Sequence, residues 1–220
     1  MGNGRDESVE IAREAELYND LFVIDAEDNY MNLVYKVLAI LHISTTLCPT
    51  SFVLKIDEDV VFHVDRFFQG VSHTFNPTDP SIYCHVWRWM RPKRDEDNKW
   101  FISKSQFDGK FYPPFCSGSS YVLNSGAAKK MIAGTAKFPF IHVEDVLITG
   151  LIANGAGVKR IHLPAMFHRQ SRFYNGCPRT SYGGSSAIKS VWKRMARECP
   201  GPRRKTTKPP PSTSPKTILK

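Results

Sequence analysis

The amino-acid sequence predicts an α/β domain, a mixed sheet covered by helices on both faces. Three observations lead there. Stretches with helical spacing alternate with short apolar runs along the first sixty residues, the order of a layered fold. Ser51 to Ile56, with Phe52, Val53, Leu54 and Ile56 apolar, reads as a buried strand. A content of 41% apolar and 12% aromatic residues over 220 positions is enough for one sizeable core.

The elements follow in order. Glu7 to Leu17 carries helix formers, with Val9, Ile11, Ala12, Ala15 and Leu17 as its apolar residues, and Leu21 to Asp25 follows as a short strand ending in acid. From Tyr30 to Leu47 the residues Met31, Val34, Leu38 and Leu41 step at helical spacing, Val37 widens the stripe, and Cys48-Pro49 stops it. A short helix is expected over Val64 to Phe68 and a strand over Ile82 to Trp87. Arg91 to Phe115 is a long polar segment dotted with aromatic residues, the kind of loop that carries function. Gly118 to Asn124 is a strand, Ser125 to Ala133 a helix, Val146 to Ala153 a helix ended by Asn154-Gly155, and Val158 to His162 a last strand. Residues 1–15 form a lead-in with the start of the first helix, 16–197 the folded domain, and 198–220 a disordered tail.

Charge follows this division. The net charge is +9, and Pro200 to Lys220 holds six basic residues, six prolines and no acid, so about three net charges remain for the rest. Such a tail cannot bury enough apolar surface to offset its ordering entropy. Basic residues that cluster in a tail rather than around the acidic segments argue against a nucleic-acid partner. No apolar run is long enough to span a bilayer, no signal peptide precedes the domain, and the myristoylation pattern is missing its hydroxyl residue. The five cysteines lack the paired spacing of a zinc site; they suit either a reduced interior or one or two disulfides in a secretory domain.

Four segments carry chemistry. Lys55-Ile56-Asp57-Glu58-Asp59 puts carboxylates at the end of the apolar run, where hard divalent cations find oxygen ligands. Tyr112-Pro113-Pro114-Phe115-Cys116-Ser117-Gly118, Val143-Glu144-Asp145-Val146 and the histidines His162 and His168 follow downstream. Taken singly, they are a solvated acidic turn, a stiff turn, a helix start and core histidines.

Their order and spacing resemble the β-1,3-glycosyltransferases, which include galactosyltransferases and N-acetylglucosaminyltransferases. The likeness runs from Glu16-Leu17-Tyr18-Asn19-Asp20-Leu21 through Asp25, Asp28, Tyr30, Asn32-Leu33, Lys36 and Cys48-Pro49 to the acidic triplet. It resumes at Lys99-Trp100, Tyr112 to Gly118, Tyr121-Val122-Leu123 and Glu144-Asp145-Val146. The resemblance implies a single Rossmann-like domain of the GT-A type, entered late, with the family's anchor, stem, first strand and first helix not found before Gly4. It also implies an inverting transfer of galactose or N-acetylglucosamine from a UDP-sugar to a glycan hydroxyl, with Mn²⁺ or Mg²⁺, in the Golgi lumen. Residue by residue, Asp59 would hold the metal, with Asp57 and His168 as further ligands. Asp57, helped by Lys55, would contact the ribose or donor sugar, and Asp145 would be the base. Glu144 would hold the acceptor, Trp100, Tyr112 and Phe115 would offer faces to sugar rings, and Gly118 would let the backbone come close to donor or acceptor. A competing reading makes the chain a non-catalytic form that associates with a full-length relative. A third, a two-metal nuclease or phosphatase using Asp57, Asp59 and Asp145, has the charges in the wrong place.

Overall fold

A computed structural model describes residues 6–47, 49–62, 72–163 and 180–182. The chain divides into two units, Met1–Glu27 with Arg204–Lys220, and Asp28–Arg203. In the first, the expected helix is present as α1 (Asp6–Tyr18). The strand expected over Leu21 to Asp25 is not formed. Asn19 turns the chain in the left-handed region at φ 53°, the amide of Ala26 closes a tight turn on the carbonyl of Ile24, and Leu21, Phe22 and Val23 are exposed. An apolar run becomes a strand only where a neighbour completes its ladder.

In the second unit, Asn29 caps a 3-10 turn at Tyr30–Asn32 by accepting the amide of Asn32 at 3.0 Å, and α2 (Leu33–Thr46) continues from it. Val34, Val37, Leu41 and Ser44 form its buried face, whereas Met31, on the 3-10 turn, is exposed. The strands are β1 (Phe52–Ile56), β2 (Val60–Phe62), β3 (Ser81–Trp87), β4 (Phe115–Asn124), β5 (Lys159–His162) and β6 (Thr180–Tyr182). Four of them form a mixed sheet in the order β1-β4-β3-β5, with β3 parallel to β5 and the other pairs antiparallel. β2 pairs with β6. β1 therefore lies at the edge of its sheet, and its one fully buried residue is Lys55; Phe52, Val53 and Leu54 are half-buried and Ile56 is exposed.

One face of the sheet, with Ile82, Cys84, Val86, Tyr121 and Leu123, packs in one core with α2, α3 (Ser125–Gly134) and a π-helical segment, Val146–Ile152. On the other face Tyr83 and Val122 meet Phe62 and Leu163, with Phe52, Leu54, Phe75 and Ile161 closing around them. The helix expected over Val64 to Phe68, His168, the residues 198–220 and Cys48, Cys177 and Cys199 lie outside the described residues. Cys84 and Cys116 form a disulfide between β3 and β4. The helix expected over Val146 to Ala153 is π-helical through Ile152, and the left-handed residue that ends it is Gly157 at φ 66° rather than Gly155.

Asn124 joins the parts. Its Oδ1 accepts from the amides of Ala127 at 2.8 Å, capping α3, and of Ser81 at 3.4 Å; its Nδ2 donates to the carbonyls of Asn76 at 2.8 Å and Asp79 at 2.6 Å.

Candidate active site

The site grows from an irregularity in β4. Cys84 pairs with Tyr121 and Val86 with Cys116, so the four residues Ser117 to Ser120 stand opposite His85 alone. This long bulge turns away from β3 and follows β1, with Ser120 opposite Ile56 and the amide of Asp57 donating to the carbonyl of Ser119 at 3.1 Å. Bulges re-aim side chains and backbone beside functional sites. A run of three serines and a glycine inside an apolar strand is the local signal for it. On the β3 side, the amide of Val86 is satisfied by Nδ1 of His162 at 3.0 Å, which makes His162 a group of the sheet.

Gly118 is the centre of the bulge. Its amide donates to Oδ2 of Asp145 at 3.2 Å, while its carbonyl accepts from Nζ of Lys55. Its φ is not left-handed. The glycine is there for proximity, because a Cβ would lie 3.3 Å from Cβ of Asp145 and 3.4 Å from Oδ2. The approach expected of Gly118 was to donor or acceptor; the one the structure shows is to Asp145.

Lys55 also donates to Asp57 and stands 3.8 Å from Oε2 of Glu144; Lys55 and Glu144 are only 4% and 3% exposed. The hydroxyl of Tyr121, fully buried, donates to Oε1 of Glu144 at 2.9 Å. Burial pushes the Glu144 carboxyl up to about 7, with Lys55 and the Tyr121 hydroxyl pulling down and Asp145 pushing further up. Burial likewise lifts Asp145 to about 6, against the amides of Val146 and Gly118. Asp57 is raised by burial too, with Lys55 opposing. Tyr121 is driven well above its ordinary range by burial and then by Glu144. These groups form one coupled cluster in which Lys55 is the cation.

Asp145 opens the π-helical segment. Its Oδ1 accepts from the amide of Val146 at 2.8 Å, and its own carbonyl accepts from the hydroxyl of Thr149 at 2.6 Å. That hydroxyl, fully buried, accepts in turn from the amide of Cys116 at 2.8 Å. Pulling a helix out of α register beside a reactive group is a recurring use of π-helical turns.

Asp145 faces a cavity of about 500 Å³ whose walls include Tyr30, Trp87, Trp100, Tyr112, Phe115 and Val146, with Ser117 and Ser119 of the bulge and Met90, Arg91 and Lys93 of the long loop. Burial raises Tyr30 and Tyr112 to about 12, so both phenols are neutral donors at physiological pH. Nζ of Lys99 lies 4.7 Å from the Tyr30 ring and 5.3 Å from that of Trp100, and its carbonyl contacts the His142 ring at 3.0 Å. The loop is pinned by Arg94, which donates to the carbonyls of Ile102 and Phe107, both at 2.6 Å.

The structure thus gathers Lys55, Asp57, Gly118, Glu144 and Asp145 in one network, with Trp100, Tyr112 and Phe115 in the adjoining wall. Asp59 is half-buried on the turn between β1 and β2, close enough for its charge to raise Asp57, and it does not line the cavity. Asp57 and Asp59 are hard oxygen donors two residues apart on one turn, which fits a divalent cation that keeps water and phosphate as its other ligands. Among the described residues no group of three or more His, Cys, Asp or Glu side chains is placed to hold a metal ion. Tyr30 and Tyr121 belonged to the family pattern without an expected role. Trp87, Met90, Arg91, Lys93 and Thr149 carried no signal, since only the folded chain brings them here.

The galactosyltransferase family model matches residues 1–164. Among characterised proteins, the chain is 41% identical to β-1,3-galactosyltransferase bre-2 of Caenorhabditis elegans, over 75% of this chain and 48% of that protein. It is 31% identical to β-1,3-galactosyltransferase 5 of Mus musculus, over 74% of this chain and 51% of the relative, and 30% identical to that of Homo sapiens, over 77% and 53%. The chain spans about half the length of the curated relatives it matches. With a mixed sheet, helices on its core face, and Lys55, Asp57, Gly118, Glu144 and Asp145 joined in one network beside an aromatic-walled cavity, the chain belongs to the galactosyltransferase family.

Proposed function

We propose that this chain carries the catalytic centre of a UDP-sugar-dependent β-1,3-hexosyltransferase of GT-A type, which passes galactose, or N-acetylglucosamine, to a hydroxyl of an acceptor glycan with inversion. One observation carries the reading: Asp145, with a carboxyl raised to about 6 and both oxygens engaged by backbone amides, faces a cavity walled by aromatic rings. An alcohol is a weak nucleophile until a base within hydrogen-bond reach takes its proton, and an ionised Asp145 supplies that base. The two amides hold its oxygens in place while the aromatic wall positions the incoming sugar.

Asp57 and Asp59 are the residues that would hold Mn²⁺ or Mg²⁺, with His168 as a third ligand. The bound cation supplies charge neutralisation for the leaving diphosphate. Lys55 acts on the donor side by holding Asp57. Glu144, expected to hold the acceptor, is enclosed and acts through Lys55 and Tyr121 beside Asp145 rather than by touching the acceptor, and the faces of Trp100 and Tyr112 take sugar rings. The names of the relatives favour galactose as the transferred sugar. The Cys84–Cys116 disulfide fits an oxidising compartment, a class to which the Golgi lumen implied by the resemblance belongs. Among the described residues no helix is long and apolar enough to cross a membrane.

The test is a transfer assay with UDP-galactose or UDP-N-acetylglucosamine, Mn²⁺ and a panel of glycan acceptors, beside UDP binding by calorimetry. Asp145→Asn is expected to lower kcat by roughly 10²–10⁴-fold, with metal-dependent UDP binding retained. Full turnover in that variant refutes the base assignment. Absence of both transfer and UDP binding in the parent favours the non-catalytic form associated with a related transferase.

A further inference from the structure

Trp89 contradicts the economy of the rest of the fold. Its φ of 59° places it in the left-handed region, where a bulky side chain crowds its own backbone, and it is 78% exposed. Strain in the backbone that serves to display a large apolar ring to water is a mark of binding rather than of packing.

Its neighbours say what would be bound. The Trp89 ring meets Phe111 edge-on with centroids 6.0 Å apart, and the Arg91 guanidinium lies 5.3 Å from the other ring's centre, so the three side chains form one ledge. The ledge is anchored: the amide of Tyr112, next to Phe111, donates to the carbonyl of Met90 at 2.9 Å. Met90, Arg91 and Tyr112 themselves line the cavity that Asp145 faces. The ledge therefore continues the wall of that cavity outward. Flat rings beside a guanidinium suit a pyranose, which has an apolar C–H face and hydroxyls around its rim.

We propose that Trp89, Phe111 and Arg91 form an outer subsite for a second sugar residue of the acceptor, one position removed from the residue that receives the transferred sugar. The inference rests on the transferase reading above and adds that the preferred acceptor is an oligosaccharide. Trp89 takes the sugar face, Phe111 fixes the angle of the indole, and Arg91 donates to hydroxyls at the edge.

The experiment compares the full chain with Trp89→Gly on two acceptors, a monosaccharide glycoside and a trisaccharide ending in the same sugar. In the parent the trisaccharide should have the lower KM. The variant should shrink that advantage roughly five- to tenfold, the scale of one ring contact, without a fall in Tm, because glycine accepts the left-handed backbone. An equal rise in KM for both acceptors overturns the proposal. So does a loss of more than about 3 °C in Tm, which would make Trp89 a packing residue. A parent dimer in sedimentation that Trp89→Gly abolishes also overturns it, since a second copy would then cover the ring. If neither acceptor is turned over, the transferase reading has failed and fluorescence decides the subsite: a saturable change in tryptophan emission on titrating the trisaccharide, absent in the variant, supports it, and no change overturns it.

Discussion

Glu144 and Asp145 are neighbours in sequence with different surroundings. Glu144 is enclosed by Tyr121 and Lys55, whereas Asp145 is half-buried and faces the cavity. A base works only when ionised, so kcat/KM should rise with pH through about 6, the value to which burial lifts Asp145. A pH profile between 5 and 8 with a fixed donor measures it, and a rate flat across that range would mean another group takes the proton. Stability should move the other way. The Glu144 carboxyl has an ordinary value of 4.5 and is pushed up to about 7 in the fold, so the folded state binds more protons than the unfolded state between those limits. The contribution of Glu144 is fully present below about 4.5 and is lost as pH rises through 7. Urea midpoints across pH 4.5 to 8 should fall more steeply in the parent than in Glu144→Gln.

At the scale of elements, the π-helical segment and β4 are tied by Thr149. Replacing it by valine keeps the shape and removes the hydroxyl, leaving the buried amide of Cys116 without its acceptor and freeing the carbonyl of Asp145 from one donor. The expected loss is roughly 1–3 kcal/mol in urea unfolding, and Thr149→Ser should restore most of it. The same elements show what was legible beforehand. α2 and β3 followed from local periodicity, because each has apolar residues that repeat along the chain, and α3 and β5 were expected close to where they lie. β4 was expected only from Gly118, since Tyr112-Pro113-Pro114 reads as a turn and the serines of the bulge interrupt the apolar pattern before Tyr121. β1 looked like a buried strand; its apolar residues are half-buried or exposed at an edge, and the residue enclosed there is a lysine. Asp57, Gly118, Glu144 and Asp145 were recognisable from motif order, and the fold brings them into one network. Of the cavity wall only Trp100, Tyr112 and Phe115 were recognisable; Tyr30, Trp87, Arg91 and Val143 meet across dozens of residues, and no periodicity in one chain records such contacts.

Across the whole molecule, two covalent and polar junctions hold distant segments. The Cys84–Cys116 bridge closes a loop at a sequence separation of 32 that contains the entire aromatic segment of the cavity. Its removal by Cys84→Ala with Cys116→Ala should cost about 4 kcal/mol on the chain-entropy scale for such a loop, read as a lower urea midpoint that reductant does not shift further. The second junction is Asn124. Its oxygen receives two amides and its nitrogen serves two carbonyls, so the side chain fits in one rotation only, and no acidic analogue can replace it. An asparagine followed by serine is open to spontaneous hydrolysis as a protein ages. Complete burial and four hydrogen bonds hold Asn124 away from the cyclisation that this chemistry needs, so ageing would mark the exposed Asn154-Gly155 pair first and reach the keystone of the sheet last.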